Sequence, residues 1–95
     1  MMGLLYVWVR KDDINRAEAL ILTSGFRQHT FKNPLALAIE REIGGHAVVT
    51  DSFVYLYAPR LGWHERRSMT DDARKFMRSW LYGRPEPTKL IFTPQ

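Results

Sequence analysis

Catalytic chemistry requires nucleophiles, acid–base groups or metal ligands at defined spacings, and the candidates in this chain are isolated from one another. The three histidines, His29, His46 and His64, lie far apart, and no pair has the His-x-x-x-His spacing that places two ligands on one helix face. The glycine pair at 44–45 lacks the flanking pattern and the lysine of a phosphate-binding loop. The serines stand outside a nucleophile-elbow context, and cysteine is absent. These observations predict a protein that is not an enzyme and that uses no cofactor or metal ion.

The charge of the chain is concentrated in one segment. The 95 residues carry a net charge of +4, and the whole of this excess lies between residues 59 and 84, where seven basic residues stand against three acidic ones. The basic residues of the segment are Arg60, Arg66, Arg67, Arg74, Lys75, Arg78 and Arg84. Clustered positive charge attracts acidic partners, so the sequence favours a nucleic acid or an acidic protein surface as the partner.

Trp63 stands within this basic segment, in the run GWHERR at residues 62–67. A tryptophan among arginines can stack on a base or anchor a protein interface, and it can equally fold back over the core. The resulting hypothesis is one exposed binding surface made of the seven basic residues together with Trp63 and His64. The alternative is that the basic residues at 74, 75 and 78 form an ordinary solvated helix face, supported by ion pairs with Asp71.

Capping residues and apolar periodicity predict the elements that position these groups. Helices are predicted at 12–22, after the cap Asn33 and its Pro34 as far as the glycines at 44–45, and from the cap Thr70 to Gly83. Strands are predicted at 4–9, 47–50, 53–58 and 89–93, whereas 23–32 and 59–68 are predicted to be loops. Strand 53–58 is apolar on both faces and is expected in the centre of the sheet. One α+β domain spanning residues 1–95 follows, with a small, mainly antiparallel sheet packed against two helices.

The apolar run at residues 1–9 has no basic region before it and no small-residue cleavage site after it. We therefore interpret it as a buried strand rather than a signal peptide. No run in the chain approaches the roughly 20 apolar residues of a membrane span. The lack of cysteine fits a reducing compartment. These features predict a cytoplasmic protein that does not enter a membrane.

Four runs recur in a characteristic order: VRKDDI at residues 9–14, NPLALAIER at 33–41, TDDARKFMRSW at 70–80 and GRPEP at 83–87. This order, which extends from residue 9 to residue 87, resembles a group of short uncharacterised proteins encoded by bacteriophages and prophages. In that group the middle helix usually opens with Cys-Pro and the last helix usually ends in Phe-Asp-x-Gly. Here Asn33 replaces the cysteine, and WLYG at 80–83 departs from the second motif. The resemblance implies a phage origin and an α+β fold, and it supplies no catalytic residues.

Small non-enzymatic phage domains often act by binding and blocking host machinery. The expected function is therefore an inhibitor or modulator of a host protein or complex, located in the cytoplasm of the host bacterium. The alternative is a nucleic-acid-binding accessory protein that uses the same basic surface. A homodimer is a further prediction, because a terminal strand at a sheet edge can pair with a second copy of itself.

Overall fold

The computed structural model describes the chain except residues 1, 2, 25, 26, 28 and 29, and it describes residues 23, 24, 61 and 63 by their backbone alone. Five strands and three α-helices follow one another along the described residues. They are β1 (Leu5–Val9), α1 (Lys11–Ser24), α2 (Pro34–Ile43), β2 (His46–Val49), β3 (Phe53–Ala58), β4 (Trp63–Ser68), α3 (Asp71–Leu81) and β5 (Thr88–Phe92). A short 3-10 turn at Pro59–Leu61 separates β3 from β4. This arrangement confirms the α+β fold class.

The strands form two antiparallel sheets. β1 pairs with β5, and the second sheet has the order β2-β3-β4, so strand 53–58 lies in the centre of its sheet as its sequence predicts. Alternate residues of each sheet point into the core, and the other row faces solvent. Within the described residues β5 pairs only with β1, so pairing with a second copy of the chain stays a prediction.

The inner faces of both sheets share one core with the helices. Val7, Val54, Leu56 and Phe92 are almost fully buried, and they belong to the same cluster as residues of α2 and α3. A smaller cluster forms where the three helices meet, around Trp80, whose exposed fraction is 0%. Trp80 is therefore a core residue, and all three helices contribute to the core rather than two.

Local chemistry explains where α2 begins and ends. The Asn33 side chain accepts a hydrogen bond from the backbone amide of Ala36 at 2.8 Å, and Pro34 occupies the first turn, where no amide is needed. Gly44 ends the helix with φ of +67°, in the left-handed region that glycine adopts without strain. The two caps are those that the sequence predicts.

A capping residue and an apolar stripe likewise define the start and the buried face of α3. The hydroxyl of Thr70 accepts from the amide of Ala73 at 3.1 Å, and two aspartates occupy the first turn, where the helix dipole favours negative charge. Ala73, Phe76 and Trp80 form the buried stripe of this helix. The opposite face, which carries the basic residues, is therefore held towards solvent.

The prediction of a loop at 59–68 is wrong. After the 3-10 turn, residues 63–68 form β4, which pairs with β3 along its full length. The inward row of this strand includes Glu65 and Arg67, which lie opposite Leu56 and Val54. A strand with charged residues on its core side lacks the apolar alternation by which strands are recognised, and this is why the sequence pattern indicated a loop.

Candidate binding surfaces

The predicted binding residues do not form one surface. Because α3 lies on the core side of the sheets, its exposed face and the outer row of β4 are separated by the core. The nine residues fall into four places: Arg60 on the 3-10 turn, His64 and Arg66 on the outer row of β4 next to Trp63, Arg67 on the inner row, and Arg74, Lys75, Arg78 and Arg84 on or just after α3. The side chain of Trp63 lies outside the described residues.

Arg67 is not a surface residue, which corrects its assignment to a binding surface. Its exposed fraction is 0%, and its Nη1 donates to the carbonyl oxygens of Gly3 at 2.7 Å and Phe92 at 3.0 Å. Its Nε lies 3.3 Å from the carboxylate of Glu65. The strand register explains the burial, because Arg67 shares the inward row with its neighbour two residues earlier. Arg67 thus ties β4 to the start of β1 and the end of β5, joining the two sheets.

A cleft of about 560 Å³ lies beside α3, between that helix, the β2–β3 turn and the residues Arg27 and Thr30. Its lining includes the apolar side chains of Val49, Met69, Met77 and Leu81, and the polar residues Thr30, Thr50, Asp51, Arg27, Arg74 and Arg78. Apolar clefts with a few polar groups at the margin are the usual form of binding sites.

Two arginines of α3 line this cleft, and they differ in what holds them. Arg74 donates from Nε to the carbonyl oxygen of Asp51 at 3.1 Å, and its Nη1 lies 3.5 Å from the carboxylate of Asp71. The guanidinium of Arg78 has no hydrogen-bond or ion-pair partner among the residues that the structure describes. The ion pair to Asp71 that the solvated-face interpretation predicts is present for Arg74, and Arg78 is left available to a ligand.

Arg27 forms the opposite wall of the cleft, and it is a residue that the sequence pattern does not reveal. Its guanidinium lies 4.0 Å from the ring centroid of Trp80 and donates from Nε to the Trp80 carbonyl oxygen at 2.6 Å. The indole Nε1 donates back to the Arg27 carbonyl oxygen at 2.9 Å. Both terminal nitrogens also bind the carboxylate of Glu18. Since the contacts between Arg27 and Trp80 span 53 residues of sequence, no local pattern could predict them.

A second cleft, of about 390 Å³, lies on the other side of α3 against the link to β5. Lys75 and Arg84 line it, and so do Lys89 and the carboxylates of Asp72 and Glu86. Its charges nearly cancel, so this side of the helix has less attraction for an acidic partner than the side that carries Arg78.

The outer face of the β2–β4 sheet carries a row of aromatic side chains next to basic ones, a combination that the sequence interpretation missed. Phe53, Tyr55 and Tyr57 point outward from the central strand, and the tyrosines are 41% and 51% exposed. In the register, Tyr55 lies opposite Arg66 and Tyr57 lies opposite His64. The alternation in FVYLYA places the three rings in one row, but assigning residues 59–68 to a loop hid the basic strand beside them.

A buried ion pair elsewhere serves the fold. Asp13, only 2% exposed, accepts hydrogen bonds from the Arg10 amide and from the guanidinium of Arg41, which also donates to the Trp8 carbonyl oxygen at 2.7 Å. The hydrogen bond to Asp13 raises the pKa of Arg41 above its ordinary value. This pair fixes the start of α1 and joins it to β1 and α2.

Within the part of the chain that the structure describes, no three histidine, cysteine or acidic side chains group closely enough to hold a metal ion. No described helix combines the length and apolar character needed to cross a membrane. Comparisons of this chain with protein-family models, with curated proteins and with solved structures found no significant match.

Proposed function

We propose that this chain is a non-enzymatic binding protein of phage type that inhibits or modulates a host protein or complex. The observation that carries the proposal is the cleft beside α3, which combines an apolar lining with the guanidinium of Arg78, for which the described part of the chain offers no hydrogen-bond or ion-pair partner. The resemblance of the sequence to small phage proteins supports a host protein as the target.

The chemistry of the cleft suggests what it recognises. Methionine side chains adapt to varied apolar partners, and Met69 and Met77 both line the cleft. Arginine is enriched among the residues that dominate binding energy, because its fork binds carboxylates with two parallel hydrogen bonds. A segment with an apolar side chain next to a carboxylate would place the first in the cleft and the second against Arg78.

Affinity purification from a nuclease-treated lysate of the host bacterium tests this proposal. Arg78→Glu reverses the charge in the cleft, and Lys75→Glu makes the same charge change on the other side of the same helix. We expect Arg78→Glu to lower the amount of partner recovered at least about tenfold relative to the wild-type protein, the loss typical of a binding hot spot. Recovery with Lys75→Glu should stay close to the wild-type level.

Three results would contradict the proposal. One is a partner that all three proteins recover equally, and another is the absence of any partner above background. The third is a partner that is recovered only from a parallel lysate without nuclease, since this would indicate that nucleic acid rather than protein had been captured.

A further inference from the structure

The outer face of the β2–β4 sheet has the composition of a surface on which unpaired bases stack. Its outward row contains three rings on the central strand, flanked by Arg66 and His64 on β4 and by His46 on β2. We propose that this face binds single-stranded nucleic acid, with bases stacked on Tyr55 and Tyr57 and a phosphate held by Arg66. The cleft beside α3 plays no part in this interaction.

The geometry of the rings supports stacking. Residues two apart on a strand are about 6.6–6.8 Å apart and point to the same side, so Tyr55 and Tyr57 present two neighbouring exposed rings. The ring of Phe53 is already occupied, because the guanidinium of Arg66 lies 4.3 Å from its centroid. That contact also positions Arg66 beside Tyr55, its partner in the strand register. A base on Tyr55 would therefore have a cation beside it.

The electrostatics of the face fit a polyanion. Among the described side chains of the three strands, none on the outward row is a carboxylate, and Glu65 faces inward against Arg67. Glu40 does contact the edge of the face, where its carboxylate lies 3.5 Å from Nδ1 of His46 on β2. The basic side of the platform is thus the β4 side, where His64 and Arg66 lie.

The same features favour single strands over duplexes and over proteins. In a duplex the base faces are stacked on one another and cannot reach aromatic side chains, whereas unpaired bases can. The apolar contacts that the face offers are flat rings rather than a concave cleft, which suits bases better than a protein side chain that needs a pocket.

The outer face of the β1–β5 sheet also carries an aromatic ring with cations beside it. Arg67 joins β4 to the ends of β1 and β5, and the outer face of that second sheet exposes Trp8 with Arg10 and Lys89 stacked on its ring at 4.8 and 5.2 Å. The molecule thus carries a second exposed group of aromatic and positively charged side chains on the other sheet.

Fluorescence anisotropy with the full chain tests the proposal. The probes are labelled 12-nucleotide oligothymidine, oligouridine of the same length and a 12-base-pair duplex, each titrated at low and at physiological salt. We expect both single strands to bind more tightly than the duplex, with affinity that falls as salt rises. The ratio between the two single strands shows whether DNA or RNA is preferred.

Variants locate the interaction on the sheet. Tyr55→Ala and Tyr57→Ala should each weaken single-strand binding by about 5- to 150-fold, the range measured for loss of one stacking ring. Tyr55→Phe keeps the ring and should bind like the wild type. Tyr82→Ala removes a tyrosine that is 79% exposed at the end of α3, and it should have no effect.

The proposal is overturned by any of four results. These are undetectable single-strand binding at low salt, duplex binding as tight as single-strand binding, unchanged affinity in both tyrosine-to-alanine variants, or an equal loss with Tyr82→Ala. Circular dichroism of each variant shows whether it has kept the fold. Because the wild-type comparison of single strand with duplex needs no variant, it decides the question even where a substitution unfolds the chain.

Discussion

The exposed face of α3 and the outer face of the β2–β4 sheet both carry positive charge, but they differ in what surrounds it. On α3, Arg74 shares its charge with Asp71 and a backbone carbonyl, and Arg78 stands beside an apolar cleft. On the sheet, Arg66 stands over an aromatic ring, and no carboxylate shares the outward row in the part that the structure describes. The comparison teaches that the neighbours of a cation decide its partner: a cleft suits a protein segment, and a flat aromatic face suits bases.

The largest effect that we expect concerns Arg66 and Arg67, adjacent residues of β4 whose side chains point to opposite faces of the sheet. Arg66 lies on the outer face, for which we propose binding, and Arg67 is buried on the inner face. Arg67→Ala should destabilise the protein by about 3–5 kcal/mol, because it leaves Glu65 and two carbonyl groups without their buried partner. Arg66→Ala, on the outer row, should change the free energy of unfolding by less than about 1 kcal/mol.

Urea unfolding followed by circular dichroism measures both free energies. If both variants lost a comparable free energy of unfolding, the assignment of Arg67 to the core and of Arg66 to the surface would be contradicted.

A smaller effect on stability is expected at the start of α3, the helix that lines the cleft. Thr70→Ala removes the cap that accepts from the Ala73 amide and should cost about 1 kcal/mol, which lowers the melting temperature by about 4–8 °C. Thr93→Ala, at an exposed position beyond β5, is the matched control and should leave the melting temperature unchanged. Thermal unfolding measures both, and equal shifts would contradict the assigned role of the cap.

Charge reversal compares the two regions directly. Arg66→Glu should weaken binding of oligothymidine severalfold and reduce the magnitude of the slope of log affinity against log salt by about 0.7, the value for one phosphate contact in a single strand. Arg78→Glu makes the same change of charge on α3 and should keep the wild-type slope. Anisotropy titrations at four or more salt concentrations measure the slopes; a larger loss of slope with Arg78→Glu would move the nucleic-acid site to the helix.

The smallest effect concerns the surface ion pair on α3. Asp71 is fully exposed and lies at 3.5 Å from Arg74, so the pair should contribute little to stability. Arg74→Ala is therefore expected to change the free energy of unfolding by less than about 0.5 kcal/mol, measured by urea unfolding. A loss above about 1 kcal/mol would mean that the contact of Arg74 with the β2–β3 turn stabilises the fold more than its exposure suggests.

The candidate sites were only partly predictable. The sequence correctly indicated that Arg74 and Arg78 face solvent, because the apolar stripe of α3 leaves them on the opposite side of the helix. It wrongly grouped Arg67 with them, since adjacent residues of a strand point to opposite faces and residues 63–68 were not recognised as a strand. The Arg27 wall of the cleft was beyond prediction, because its partners lie on α1 and α3 rather than nearby in sequence.

The sequence by itself determined α2 and α3 and their ends, because caps such as Asn33, Thr70 and Gly44 act through hydrogen bonds and backbone preferences within a few residues. The end of α1 was predicted less well, since that helix continues to Ser24, two residues into the segment predicted to be a loop. The tertiary structure alone decided that residues 63–68 are a strand, since that conformation depends on pairing with β3 and on the carbonyl oxygens that the Arg67 side chain reaches. It also decided which arginine is buried and which is exposed. Burial of a charge is stable only where distant groups supply its hydrogen bonds, and those groups meet only in the folded chain.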